Sequence, residues 1–286
     1  MKSPAFDYVR VDSVADALSA YNAMKEDAVY LAGGHSLVPS LALRLQAPAQ
    51  LIDISGITEL SGIYLENGWL RIGAMTRHAQ AISDPLIAKH AALLAAAAPY
   101  VAHPAIRNRG TIGGSLSLAD PASEFPAVAV AMGAEMEVIG AKGARRIPAD
   151  AFFVGLYETA MAPGEILRAV FVPPVRPGQI IGFDEIARRR GDYAMVGAAV
   201  QAVAIDGVIE AISIALFSVG ERPTPALQAA KALRGGKIDT AGITAAKEAL
   251  SEDLDPPDDP QFPASARVHL ARVLLGRILA NLEASA

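Results

Sequence analysis

Apolar positions recur along this chain with two periods, and the switches between them mark its elements. Behind Ser13, the positions Val14, Leu18, Tyr21 and Met24 follow helical spacing and predict an amphipathic helix capped by the serine. Val29-Tyr30-Leu31 and Leu51-Ile52-Asp53-Ile54 are short apolar runs that predict buried strands, with a short helix over 37–45 between them. Ile63-Tyr64-Leu65 and Trp69-Leu70-Arg71-Ile72 flank Glu66-Asn67-Gly68, a hairpin signal, with Trp69 expected in the core. The alanine-rich stretch 84–98 predicts one helix ended near Pro99, and Asp120-Pro121 predicts an N-cap followed by proline at the first helical position. Further strands are predicted over 134–139, 166–172, 180–186, 195–205 and 208–217, the last two joined by an Asp206-Gly207 turn. Helices over 224–233, 240–250 and 265–282 complete the pattern. The acidic stretch from Asp253 to Pro260, with two adjacent prolines, fits a solvated linker and lacks the spacing of a calcium loop.

Strands and helices do not alternate regularly, so the expected class is α+β. The chain is read as three segments: 1–57, a small α/β unit; 58–177, a mixed or antiparallel sheet with helices around it; and 178–286, a sheet followed by helices. A length of 286 residues can bury a sizeable core. A net charge of −5 and a pI near 5.6 offer no electrostatic footprint for nucleic acid. The absence of cysteine excludes disulfides, a thiolate nucleophile, and a Cys-ligated zinc or iron–sulfur cluster in this chain. The five histidines form no metal-binding pair, and no metal site is expected. MKSPAFDYVR lacks the apolar core of a signal peptide, and no apolar run is long enough to cross a bilayer, so a cytoplasmic location is expected.

Candidate chemistry concentrates in two glycine turns, Ala32-Gly33-Gly34-His35-Ser36 and Thr111-Ile112-Gly113-Gly114-Ser115. Glycine lets backbone approach a ligand closely and adopt positive φ, so that N–H groups converge on an anion, and Ser36, Thr111 and Ser115 add hydroxyls. One such turn is weak evidence. Two of the same design suggest an extended phosphate-bearing ligand, such as a dinucleotide, held from both sides in a cleft. Neither GxGxxG nor a Walker A motif occurs.

Together with Ile106-Arg107-Asn108-Arg109-Gly110 before the second turn and Gly191-Asp192-Tyr193 in the third segment, these turns resemble the FAD-binding medium subunit of the molybdenum hydroxylases. That family includes xanthine dehydrogenase, aerobic carbon monoxide dehydrogenase and quinoline 2-oxidoreductase, and the resemblance spans essentially the whole chain. It implies a vanillyl-alcohol-oxidase-like two-part FAD domain, followed by a C-terminal domain of a three-stranded antiparallel sheet and helices. It also implies two partners, a large subunit with the molybdopterin cofactor and a small subunit with two [2Fe-2S] clusters, assembled as a dimer of heterotrimers. The lack of cysteine agrees with clusters ligated elsewhere. By the same resemblance, Leu31, Ala32, Gly33, Gly34, His35, Ser36 and Leu37 wrap the pyrophosphate. Thr111, Gly113, Gly114 and Ser115 form the second loop, which Val101 and Ala102 approach. Asp120 or Glu124 meets a polar edge of the cofactor, Leu167 makes an apolar contact, and Tyr193, after Asp192, places its ring by the isoalloxazine. Carbon monoxide dehydrogenase-like chains carry Asn where Ser115 stands, which leans toward relatives acting on N-heterocycles or other organic substrates.

His35 is read as ligand-proximal and His103 as a turn residue positioning its loop. Arg107 and Arg109 fit a phosphate contact and a partner contact equally, and Arg188-Arg189-Arg190 fits a solvated face. No catalytic base–nucleophile set is found. A self-contained flavin oxidase and a non-enzymatic nucleotide-binding module are the rival classes to an electron-transfer flavoprotein subunit.

Overall fold

The computed structural model describes residues 2–259 and 262–283. The first part builds β1 (Asp7–Arg10), α1 (Val14–Met24), β2 (Ala28–Leu31), α2 (Leu37–Ala42) and β3 (Gln50–Asp53). The strands form a parallel sheet in the order β1-β3-β2, in which Arg10 and Leu31 both stand level with Asp53. The Ser13 hydroxyl accepts from Asp16 N at 3.1 Å and starts α1 as expected. Sequence pattern missed β1, because an edge strand reading Asp-Tyr-Val-Arg leaves three of its four residues exposed and carries no apolar period. All three strands end at one rung, and the first glycine turn leaves from there.

The second part contains β4 (Ile63–Glu66), β5 (Trp69–Gly73), α3 (His78–Ser83), α4 (Pro85–His90), α5 (Ala92–Ala97), α6 (Pro104–Arg107), α7 (Ile112–Leu118) and α8 (Glu124–Ala131), then β6 (Glu135–Gly140), β7 (Gly143–Pro148), α9 (Ala149–Phe152), β8 (Phe153–Gly155), β9 (Glu158–Thr159) and β10 (Ile166–Val172). Its antiparallel sheet runs β4-β5-β10-β6-β7, and β8 and β9 form a separate hairpin. Asn67 and Gly68 both take positive φ (51° and 85°), the requirement of the two-residue hairpin turn read from Asn-Gly. Trp69 is half-buried rather than in the core. The helix expected over 84–98 is two helices. Asp84 caps the first through Leu86 N and Ile87 N, and Ala91 leaves the helical region (φ −138°, ψ 49°), so that Ile87, Leu93 and Leu94 all reach the core. Asp120 is no N-cap. Its carboxylate accepts from Ala122 N at 2.9 Å in a turn of its own, and the helix starts only at Glu124, behind Ser123.

The third part carries β11 (Gln179–Ala187), β12 (Ala194–Ile205), β13 (Val208–Phe217), β14 (Thr224–Pro225), α10 (Leu227–Leu233), α11 (Thr240–Asp253) and α12 (Ala264–Glu283). The expected three antiparallel strands gain a fourth rung, because Thr224 and Pro225 pair with Leu216 and Ala215 instead of starting a helix. Asp253 belongs to α11 rather than to the linker, and its carboxylate accepts from Gln228 N and Ala229 N at the start of α10. Pro260 lies outside the described residues. Helix α12 covers this sheet with Leu274, Leu275, Ile278, Leu279 and Leu282. On the other side Ala194, Ala199, Ala215 and Phe217 join the core of the second part, and Phe183 stacks on Phe217 and meets Tyr100 edge-on. None of the described helices is long and apolar enough to cross a membrane.

Candidate functional site

Leu31 ends β2, and the chain then passes through Ala32–Ser36 into α2. Gly34 takes φ +77°, a conformation that strains any residue with a Cβ. A Cβ on Gly33 would stand 2.5 Å from the Arg109 carbonyl oxygen, so the first turn touches the segment leading into the second. Among the described residues the N–H groups of Gly33, Gly34, His35 and Ser36 have no hydrogen-bond partner. Four consecutive unpartnered amides, three of them on the half-buried residues 33–35, are costly unless something accepts from them, and an oxyanion is suited to that.

The second turn differs. Thr111 caps α7 by accepting from Gly114 N at 3.1 Å. Ile112 N donates to Thr76 O, Gly113 N to Ala74 O and Ser115 N to Thr111 O, all at 2.8–3.0 Å. The expected convergence of its amides on an anion is therefore corrected: these donors are engaged within the protein. Gly113 is required for packing, since a Cβ would fall 2.5 Å from the Ala74 Cβ. Ser115 pairs its hydroxyl with Ser123 at 3.1 Å. What the second turn offers a ligand is a wall, with half-buried Gly114 on the side of Ala32.

Cations gather where the two turns meet. Burial, Arg109, Arg77 and His103 together push the His35 imidazole below its ordinary pKa, and its Nε2 is buried without a partner. Burial first, and then Arg109, also lowers Arg77, whose guanidinium donates to the Arg109 carbonyl. Neither arginine enters an ion pair among the described residues. Arg107 has a further duty: its Nη1 donates to Val101 O and Ala102 O at 2.8 and 2.9 Å, which shapes the 99–102 turn. His78 is 6 % exposed with both ring nitrogens unpartnered, and burial depresses its pKa to about 4.

The surroundings of the 101–102 loop are acidic and aromatic. Gly191 turns at φ +87°, and a Cβ there would sit 2.8 Å from the Ala102 carbonyl oxygen, so the third part docks its Gly191–Tyr193 turn on the 101–102 loop. Val101 is buried, Ala102 half-buried and Asp192 exposed. Tyr193 is 70 % exposed, yet its hydroxyl end is pushed up to about 12 by desolvation and by the buried Asp120 carboxylate. Burial first, and then the charge of Asp120, also raise the hydroxyl of Tyr157, at the tip of the β8–β9 hairpin, above its ordinary pKa. Burial and Asp120 raise Glu124 to about 7, and burial and Glu124 raise Glu185 to about 8. Leu167 is 3 % exposed within β10, inside the core. Arg77, Tyr157 and Glu185 were not singled out from sequence. Arg77 has the one local signal, a lone arginine in Thr76-Arg77-His78 directly after a strand.

A family model described as the FAD binding domain in molybdopterin dehydrogenase matches residues 4–175. The chain belongs to this family. The CO dehydrogenase flavoprotein C-terminal domain matches residues 182–282 of this FAD-binding medium subunit. The medium subunit is 36 % identical to the carbon monoxide dehydrogenase medium chain of Afipia carboxidovorans, over 99 % of this chain and 98 % of that one. It is 38 % identical to subunit alpha of the 6-hydroxypseudooxynicotine dehydrogenase complex of Paenarthrobacter nicotinovorans, over 98 % and 95 %. Among solved structures it superposes on quinoline 2-oxidoreductase from Pseudomonas putida 86 with a TM-score of 0.94 at 37 % identity, covering 100 % and 99 % of the two chains. On CO dehydrogenase from Oligotropha carboxidovorans the TM-score is 0.96 at 35 % identity, with full coverage of both chains.

Proposed function

We propose that the medium subunit holds FAD between its two glycine turns, receives electrons from [2Fe-2S] clusters on a small partner, and delivers them to an external acceptor. A large partner with the molybdopterin cofactor oxidises the substrate. The assembly is a dimer of such heterotrimers in the cytoplasm. Bound FAD supplies the two-electron carrier; this chain supplies the grip. The single observation that carries the reading is that, among the described residues, the amides of Gly33–Ser36 have no partner and no carboxylate pairs with the neighbouring Arg77 or Arg109. A pyrophosphate matches both the donors and the charge.

Residues 31–37 would hold the pyrophosphate, with Thr111, Gly113, Gly114 and Ser115 as the facing wall and Val101 and Ala102 at its edge. Asp120, Glu124, Asp192 and Tyr193 would surround the ring system, and Leu167 would back it from the core. The reading extends to a vanillyl-alcohol-oxidase-like fold divided at 57/58 and 177/178, supported by the three main sheets that lie one in each segment. Co-expression with the two partner chains tests it. A complex with a flavin spectrum that bleaches on adding substrate supports the reading, and a chain that turns over substrate unaided overturns it.

A further inference from the structure

The outer edge of β13 is sealed at two places and open between them. At one, Thr224 and Pro225 pair with Leu216 and Ala215, and the Ile214 carbonyl accepts from Ala226 N at 2.8 Å. At the other, Ile209 donates to Gly236 O and accepts from Gly235 N, both at 2.8 Å. Residues along an antiparallel strand turn their backbone groups alternately to one neighbour and the other. Ile212 therefore faces the same way as Ile214, away from β12, and among the described residues its N–H and C=O find no backbone partner there. Ile212 is 6 % exposed, and backbone groups buried without a partner are costly.

The chain between the two seals carries α10, and this helix and the open edge border a cavity of about 310 Å³. Ile212, Ile214 and Ala230 give it an apolar floor, and Leu227, 68 % exposed, stands beside them. Leu227, Lys231 and Arg234 follow one another at four- and three-residue spacing, so they share one face of α10 and its C-cap. Lys231 and Arg234 are exposed, and neither enters an ion pair among the described residues. No carboxylate lines the cavity. Two cations and a free strand N–H thus border one apolar hollow.

We propose that this cavity binds a small carboxylate with a compact apolar body. Lys231 and Arg234 take the carboxylate, as charge-assisted donors, and the Ile212 N–H completes its hydrogen bonds. Leu227, Ile212 and Ile214 pack against the apolar part. The volume stands at the lower end of the range for small-molecule sites, about 300–1,000 Å³, which limits the ligand to a compact one. None of these residues belongs to the glycine turns, so the site is separate from the FAD cleft and independent of that reading.

The probe is para-fluorobenzoate, titrated into the full chain and followed by fluorine NMR, with para-fluorobenzamide as its uncharged counterpart. The benzoate should bind saturably and the benzamide at least about tenfold more weakly. Lys231→Gln and Arg234→Gln should each raise the benzoate Kd about tenfold. Both side chains are exposed, so the variants should melt at the wild-type temperature. Excess FAD should leave the Kd unchanged, and the probe should slow hydrogen exchange at the Ile212 amide. Absence of saturable binding, equal affinity for the two probes, or an unchanged Kd in the Lys231→Gln, Arg234→Gln double variant overturns the proposal. Displacement of the probe by FAD, or binding with unaltered Ile212 exchange, places it elsewhere and overturns the proposal too.

Discussion

Between Gly33 and Ser36, four successive N–H groups lack partners, whereas every N–H from Ile112 to Ser115 is bonded within 3.1 Å. Both turns carry a Gly-Gly pair and a serine, and that led to the same expectation for both. Gly34 serves a conformation, at φ +77°, and Gly113 serves contact, under Ala74. The difference arises from what lies beneath each turn. The first leaves the end of a parallel strand and packs against Arg109 and Gly110 without donating its amides to them. The second is laid across the 74–78 segment, whose carbonyls take up the amides of Ile112 and Gly113, while Thr111 takes up those of Gly114 and Ser115. Paired glycines thus mark places where backbone must come close; whether to a ligand or to more protein is decided by neighbours distant in sequence.

The largest separation of the two turns comes from Gly113→Val. With the Ala74 Cβ and carbonyl 2.5 and 2.8 Å from the new Cβ, overpacking should cost at least the upper end of ~1–3 kcal/mol. Thermal melting would show it in the flavin-free protein.

A pH titration sharpens the comparison next. His78 lies against Gly110, under the second turn. Its folded pKa of about 4 is depressed from 6.5, so below 6.5 the unfolded chain takes up a proton that the folded one refuses. Stability from this group is full above pH 6.5 and falls as pH drops toward 4, by about 3 kcal/mol in all. His78→Phe, which keeps an aromatic ring against Phe125, should flatten that window in denaturant titrations.

Much of the fold around the two turns was legible in the sequence, but the contrast between them was not. The apolar periods located the strands 166–172 and 208–217 and the helix behind Ser13, because each lies in the core and its pattern reports its own burial. The meeting of residues 33 and 109, and the placing of Arg77 and Tyr157, were not legible. They follow from long-range docking and leave no local period. Asp120 misled for a related reason: an Asp-Pro pair reads as a helix start, while here the carboxylate closes a turn.

Two smaller effects probe the first turn and the wall. Arg109→Gln removes one cation beside His35, and FAD affinity should weaken about tenfold at low ionic strength and less at high salt. Isothermal titration at two salt concentrations reads both. Ser115→Ala loses the Ser123 hydrogen bond, about 0.5–1.5 kcal/mol of stability, and should leave FAD retention intact in a desalting assay.

Amide hydrogen exchange with and without FAD tests the contrast most directly. The account predicts that Gly33, Gly34, His35 and Ser36 exchange quickly without FAD and slow on its addition, while Ile112–Ser115 are protected already and change little. Protection gained at 112–115 with none at 33–36 would contradict it.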